Sequence, residues 1–243
     1  MKDHANGEII FLLDVNYKMK NLVTFGCSNT YGHGLDDCLR LDGTPGLFPS
    51  SHAWPVFTAQ QLNLTLDNQG QPGASNKRIW HNALHYNWNV TKVDADVALI
   101  MWSFTTRYAI LRKKHERDQQ SRIKSDVNFN VNSNDKIQKM YFKRIFETYD
   151  SQQHLLAYVS QLHYFFEERN IPNFHIFSEH EMYSGEFYKW LPPNMIWKHM
   201  GFHWSENRID VAKDGDHNGP KSHKAFGQKV GKWLSKKDMR LFR

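Results

Sequence analysis

The chain has 243 residues, 40% hydrophobic and 23% charged, which leaves room for one sizeable core and excludes a disordered or fibrous chain. Its formal charge is +6, and the stretch from Lys221 onward, with eight Lys or Arg against one Asp, accounts for all of it. The two cysteines, Cys27 and Cys38, exclude a disulfide framework and a CxxC zinc site.

The first apolar run, Ile9 to Leu13, spans only five residues and lies between Glu8 and Asp14. It is too short to span a membrane and lacks the layout of a signal peptide, so a cytoplasmic, reducing setting and no membrane partner are expected. "NLVTFG", 21–26, reads as a short buried strand that stops at a glycine. "SSHAWPVFTAQQLN", 50–63, reads as a helix, with Ser51 as its N-cap and Pro55 in its first turn. "LTLDNQG", 64–70, is a second strand. "NKRIWHNALHYNW", 76–88, places Ile79, Ala83 and Leu84 on one helical face. "DVALIMW", 96–102, is apolar at every position but the first, the pattern of a central parallel strand covered on both faces.

Residues 112–139 are polar and rich in Asn, Ser and charge, and read as an insert or surface loop leaving an otherwise single domain that spans 1–243. The stretch 141–170 reads as a long helix or a broken pair, with Leu155, Val159, Leu162 and Phe166 as its apolar stripe. "NFHIFS", 173–178, is a further strand, and 182–197 is an aromatic loop region. The closing helix, 219–237, turns Phe226, Val230, Trp233 and Leu234 inward. Its lysines suit a solvated face near a helix C-terminus, so no nucleic-acid partner is expected. Strand and helix alternate throughout, which implies an open, mostly parallel sheet of about five strands in an α/β three-layer sandwich.

In such sheets a site forms beyond the carboxyl ends of the strands. After the first strand stands Ser28, at a place where backbone N–H groups favour developing negative charge. After the second comes "DNQGQPGASN", in which Gly73 can turn an N–H into the same crevice and Ser75 or Asn76 can cap the next helix. Before the last helix comes "AKDGDHNGPKSH", in which Asp214 can reach round a turn to orient His217. Among the fourteen histidines, His217 sits in a polar, glycine-flanked turn with an acid at hand.

In that order the three blocks resemble those of the SGNH (GDSL-type) hydrolases. Gly26-Cys27-Ser28 is similar to the family's G-D-S, with Cys27 in place of Asp. Asn68 to Gly73 is similar to the block whose last glycine supplies an oxyanion N–H, and Asp214-Gly215-Asp216-His217 to the block of acid and base. The resemblance implies a flavodoxin-like fold and a serine esterase with Ser28 as nucleophile, His217 as base, Asp214 as orienting acid and no cofactor. It also implies a small-molecule or carbohydrate ester as substrate. One block departs. The family places an Asn after the third strand as an oxyanion donor, whereas here "VALIMWSFTTRY" has none. Ser103, Thr105, Arg107 or Asn76 is the expected substitute, or the hole rests on the N–H groups of Ser28 and Gly73. Cys27 is expected to point into the core. Two other readings stand beside this one: a binding or assembly protein that keeps the fold without the chemistry, and a metal-dependent phosphoesterase built on Asp214, Asp216 and His217. The pattern specifies no oligomer.

Overall fold

The computed structural model describes residues 18–88, 94–111, 127–130, 134–178, 185–191 and 202–236. Its centre is a four-stranded sheet of β1 (Lys18–Phe25), β2 (Thr65–Asn68), β3 (Asp94–Trp102) and, after the hairpin below, β6 (Asn173–Phe177), in the order β2-β1-β3-β6. Every neighbouring pair is parallel, for example Val23 beside both Asp67 and Ala98, and Ile100 beside His175. The sheet thus holds four strands among the described residues, against about five expected.

Alternation along the strands builds two cores. On one face, Val23, Phe25, Ala98, Ile100 and Trp102 pack against α3 (Asn76–Leu84) and α5 (Thr148–Glu168) through Ile79, Ala83, Leu155, Val159, Leu162 and Phe166. On the other, Leu22, Val97, Leu99, Met101, Phe174 and Ile176 pack against α2 (Trp54–Leu62) and α7 (Pro220–Ser235) through Trp54, Ala59, Phe226, Val230 and Leu234. Successive β3 residues therefore serve opposite layers, which is why that strand reads as one unbroken apolar run. The apolar stripe of α5 is buried as its spacing predicts. The stretch 141–170 is a broken pair: α4 (Lys136–Arg144) ends at Ile145, and α5 restarts behind Glu147, whose side chain accepts from the Tyr149 N–H.

Two expectations about caps resolve differently. Ser75 caps α3, accepting from the Arg78 N–H at 3.3 Å. Ser51 does not cap α2, because its N–H and hydroxyl both go to Asp37 at 2.7 Å. The Trp54 N–H at the start of α2 instead donates to Nδ1 of His223, 3.0 Å away on α7. Burial pushes the His223 imidazole down to about 3, so it stays neutral and keeps this acceptor. The two helices lie close because Gly227 and Gly231 face them: a Cβ on Gly227 would stand 2.4 Å from the Trp54 carbonyl.

Of the expected polar insert, 112–126 and 131–133 lie outside the described residues. The stretch between them is β5 (Val127–Asn130), antiparallel to β4 (Arg107–Ile110) with Arg107 opposite Asn130. Of the aromatic region 182–197, α6 (Gly185–Trp190) and Leu191 are described, and Phe187 and Leu191 are buried in the first core. No helix among the described residues is long and apolar enough to cross a membrane.

Candidate active site

The strand order places a topological switch between β1 and β3, and the site forms beyond their carboxyl ends. β1 ends at Phe25, and Gly26 and Cys27 lead into a single helical turn, α1 (Ser28–Tyr31). The Cys27 carbonyl accepts from the Thr30 and Tyr31 N–H groups, both at 3.0 Å, which leaves the Ser28 N–H free at the start of the turn. Gly26 is required: a Cβ there would stand 2.0 Å from Thr30 Oγ1. Cys27 is fully buried in the first core, so it points away from the cleft as expected.

The loop after β2 hangs on the end of β1. Gln69 N–H donates to the Thr24 carbonyl at 2.8 Å, Gln71 N–H to Gly26 at 3.0 Å, and Asn68 Nδ2 to Thr30 at 2.8 Å. Gly70 passes so near α1 that a Cβ would lie 2.7 Å from the Tyr31 nitrogen. This bonding carries Gly73, at φ +75°, to the cleft that Ser28 lines. The Ser28 and Gly73 N–H groups meet no acceptor within the described residues.

The loop before α7 is rigid for a separate reason. Asp210 accepts from the N–H groups of Lys221 at 3.0 Å and Ser222 at 2.8 Å, capping α7 from ten residues upstream of it. Ala212 and His217 close the loop with an N–H to carbonyl bond of 2.9 Å. Inside it, Asp214 Oδ1 accepts from the Asp216 and His217 N–H groups, each at 3.0 Å, and Oδ2 takes His217 Nδ1 at 2.6 Å. Burial alone would raise the Asp214 carboxyl, but these N–H groups and the His217 ring outweigh it and hold it below the ordinary carboxylate range. An ionised Asp214 fixes the tautomer of His217 with Nδ1 protonated and leaves Nε2 as the basic nitrogen.

Ser28, Gly73, Arg107 and His217 all line one open cleft of about 620 Å³, a size usual for small-molecule sites. Ser28 Oγ is buried and makes no hydrogen bond among the described residues. The arrangement is thus engaged between acid and base and unengaged at the serine. Such contacts are often long before substrate binds. Asn76 and Ser103 stand apart from the cleft lining. Asn76 Oδ1 accepts from the Ser103 N–H at 2.7 Å, and its Nδ2 donates to the Ser103 carbonyl at 3.0 Å, so it clamps the chain as it leaves β3. Ser103 is fully buried, and its hydroxyl accepts from Arg107 Nη1 at 3.2 Å.

Among the lining residues, His33 and Arg208 escaped sequence reasoning, and Asn218 was legible there only as a possible cap of the last helix. His33 carried a legible signal, since it sits between Gly32 and Gly34 only five positions after Ser28. Its Nε2 lies 3.8 Å from Asp214 Oδ2, and its ring meets the His217 ring edge-on at 5.0 Å. Burial, helped by His217, pushes its pKa down, so it is neutral at pH 7. His33, Asp214 and His217 also bring ligand-type atoms within 4.8 Å of one another, a set that could hold a metal ion and that omits Asp216.

No known sequence family matches the chain, and no curated protein matches it in sequence. Solved structures do match in shape. A protein from Desulfitobacterium hafniense assigned to the G-D-S-L family of lipolytic proteins aligns over 88% of this chain and 99% of its own, at 12% identity and a TM-score of 0.50. The acetyl xylan esterase Est2A of the rumen bacterium Butyrivibrio proteoclasticus aligns over 91% of this chain at 14% identity and a TM-score of 0.55. This chain spans 64% of that esterase's length. A carbohydrate esterase whose active site displays divergent catalytic and non-catalytic binding functions aligns over 91% of this chain and 70% of its own, at 11% identity and a TM-score of 0.58. The chain therefore has the fold of the SGNH-type α/β hydrolases.

Proposed function

We propose that this chain is a serine-dependent esterase that works through Ser28, His217 and Asp214 and removes a small acyl group, such as acetyl from a carbohydrate. The observation that carries the reading is the 2.6 Å bond between Asp214 and His217 in the cleft that Ser28 lines. In this reading Ser28 Oγ attacks the ester carbonyl as His217 Nε2 takes its proton. The Ser28 and Gly73 N–H groups receive the oxyanion, with Arg107 in place of the family's Asn. His217 then protonates the departing alkoxide, and water, activated by the same imidazole, releases the acid. No metal enters these steps. The free, buried Cys27 and Cys38 agree with a reducing, cytoplasmic setting.

A second reading, a binding or assembly protein on the same fold, draws support from the unengaged Ser28 hydroxyl and the missing Asn after β3. A fluorophosphonate serine-hydrolase probe separates the two. The esterase reading expects one adduct on Ser28, located by mass spectrometry, that is lost in both Ser28→Ala and His217→Ala. Folded wild-type protein that takes up no probe would overturn it in favour of the binding protein.

A further inference from the structure

Esters differ in what surrounds the reacting carbonyl, and the cleft is specific about charge. Among the described residues two arginines line it: Arg107 from the start of β4 and Arg208 from the loop before α7. Neither pairs with a carboxylate among the described residues. Arg107 donates to the Ser103 hydroxyl at 3.2 Å and lies over the Phe104 ring, 5.1 Å from its centroid. Arg208 forms no hydrogen bond or ion pair there. Among the described lining residues the one acid, Asp216, is exposed, and no ion pair joins it to either arginine.

Arg208 is exposed, and the backbone that carries each arginine is fixed by its surroundings. Arg208 follows the 3-10 turn Trp204–Asn207, whose Trp204 is packed against Phe226, and it precedes Asp210, the cap of α7. The Arg107 N–H donates to the Phe104 carbonyl at 3.2 Å, which fixes the turn out of β3. A third donor stands in the same cleft. Asn218 is 6% exposed, and its Nδ2 makes no hydrogen bond among the described residues. A buried amide without an acceptor is costly to leave unpaired, so a bound acceptor has much to satisfy. A neutral acetyl sugar offers single acceptors and leaves both cations uncompensated. A carboxylate offers two oxygens in the plane that a guanidinium fork matches.

We propose that the ester this cleft takes carries a carboxylate beside the scissile bond, seated on Arg107 and Arg208 with Asn218 as a further donor. The inference rests on the esterase reading only for the bond that is broken; recognition of the anion is a property of the cleft itself. It narrows the substrate class from acyl esters in general to acyl esters of acidic molecules, such as an O-acetylated sugar acid. The arginines attract the substrate before it docks, and their hold on the carboxylate sets which ester oxygen meets Ser28.

The test uses two aryl acetates that differ in one group beside the ester, 2-acetoxybenzoate and 2-acetoxybenzamide. Binding is measured by calorimetry on the full chain carrying Ser28→Ala, where turnover plays no part. The benzoate is expected to bind at least tenfold tighter than the amide, and the preference to shrink as salt rises. Adding Arg208→Gln or Arg107→Gln is expected to bring the two affinities together. Equal affinities on the Ser28→Ala chain overturn the inference. A preference that survives both arginine changes overturns it as well. The same pair is then hydrolysed by the chain with Ser28 intact. Selective binding of the benzoate without turnover of either ester leaves the anion site standing and sinks the esterase reading. Turnover of both esters with no preference does the reverse.

Discussion

His33 reaches the carboxylate oxygen that holds His217: its Nε2 lies 3.8 Å from Asp214 Oδ2, beside the 2.6 Å bond from His217 Nδ1. A neutral imidazole there walls one side of the acid and presses its edge on the base. His33→Ala is expected to let the pair shift and to lower kcat about tenfold to a hundredfold with little change in KM. His33→Asn, which keeps polarity and part of the volume, is expected to recover much of that. Steady-state kinetics on an aryl acetate reads both.

Asp214→Asn keeps the shape of the loop and removes the charge. It is expected to cut turnover by about 10⁴, the usual consequence of the wrong tautomer at the base. The protein is expected to fold, because one amide oxygen can still accept from the Asp216 and His217 N–H groups. A single-turnover assay alongside circular dichroism separates lost chemistry from lost structure.

Gly34 is the glycine on which the acid depends. It sits at φ +89°, and a Cβ there would stand 2.4 Å from Asp214 Oδ2. Gly34→Ala is expected to cost about 1–2 kcal/mol of stability through its backbone alone. It is also expected to lower activity by displacing the carboxylate. Gly43, at φ +75° with open space around it, is the control: Gly43→Ala should cost a similar amount of stability and leave activity intact.

His223 predicts how stability follows pH. Its native pKa lies near 3 and its ordinary value is 6.5, so between these limits the unfolded chain binds the extra proton. Stability from this group is fully present above 6.5 and falls as the pH drops toward 3, by about 1.4 kcal/mol per unit. Denaturant titrations at pH 7.5 and 5 are expected to show the loss. His223→Gln, which can still accept the Trp54 N–H, is expected to be less stable at pH 7.5 and to show a shallower slope.

A serine mechanism also makes a prediction about metals. Dialysis against a chelator is expected to leave ester hydrolysis unchanged, whereas added zinc, drawn to His33, Asp214 and His217, is expected to inhibit by occupying the base. Activity that vanishes with the chelator and returns with metal would favour the phosphoesterase reading.

Much of the fold was legible because strand and helix leave local marks. The unbroken apolar run of β3 announced a central strand, and the spacing of Leu155, Val159, Leu162 and Phe166 announced the buried side of α5. The cap of α2 was not legible, because its acceptor, His223, lies 169 residues away. Asn76 looked like an oxyanion donor by its place after Gly73, but its carboxamide is turned to the Ser103 backbone, a partner that appears only when β3 lies beside α3.

The sequence by itself determined the parallel sheet, its covering helices and the three short blocks that carry Ser28, Gly73 and the Asp214–His217 pair. Those follow from periodicity and from contacts within a few residues. Only the tertiary structure decided that His33 shares the acid, that Arg107 and Arg208 line one cleft, and that Asn218 Nδ2 has no acceptor there among the described residues. These residues come from the ends of different elements. Their convergence depends on strand order and on where each loop is tied, and no local pattern records either.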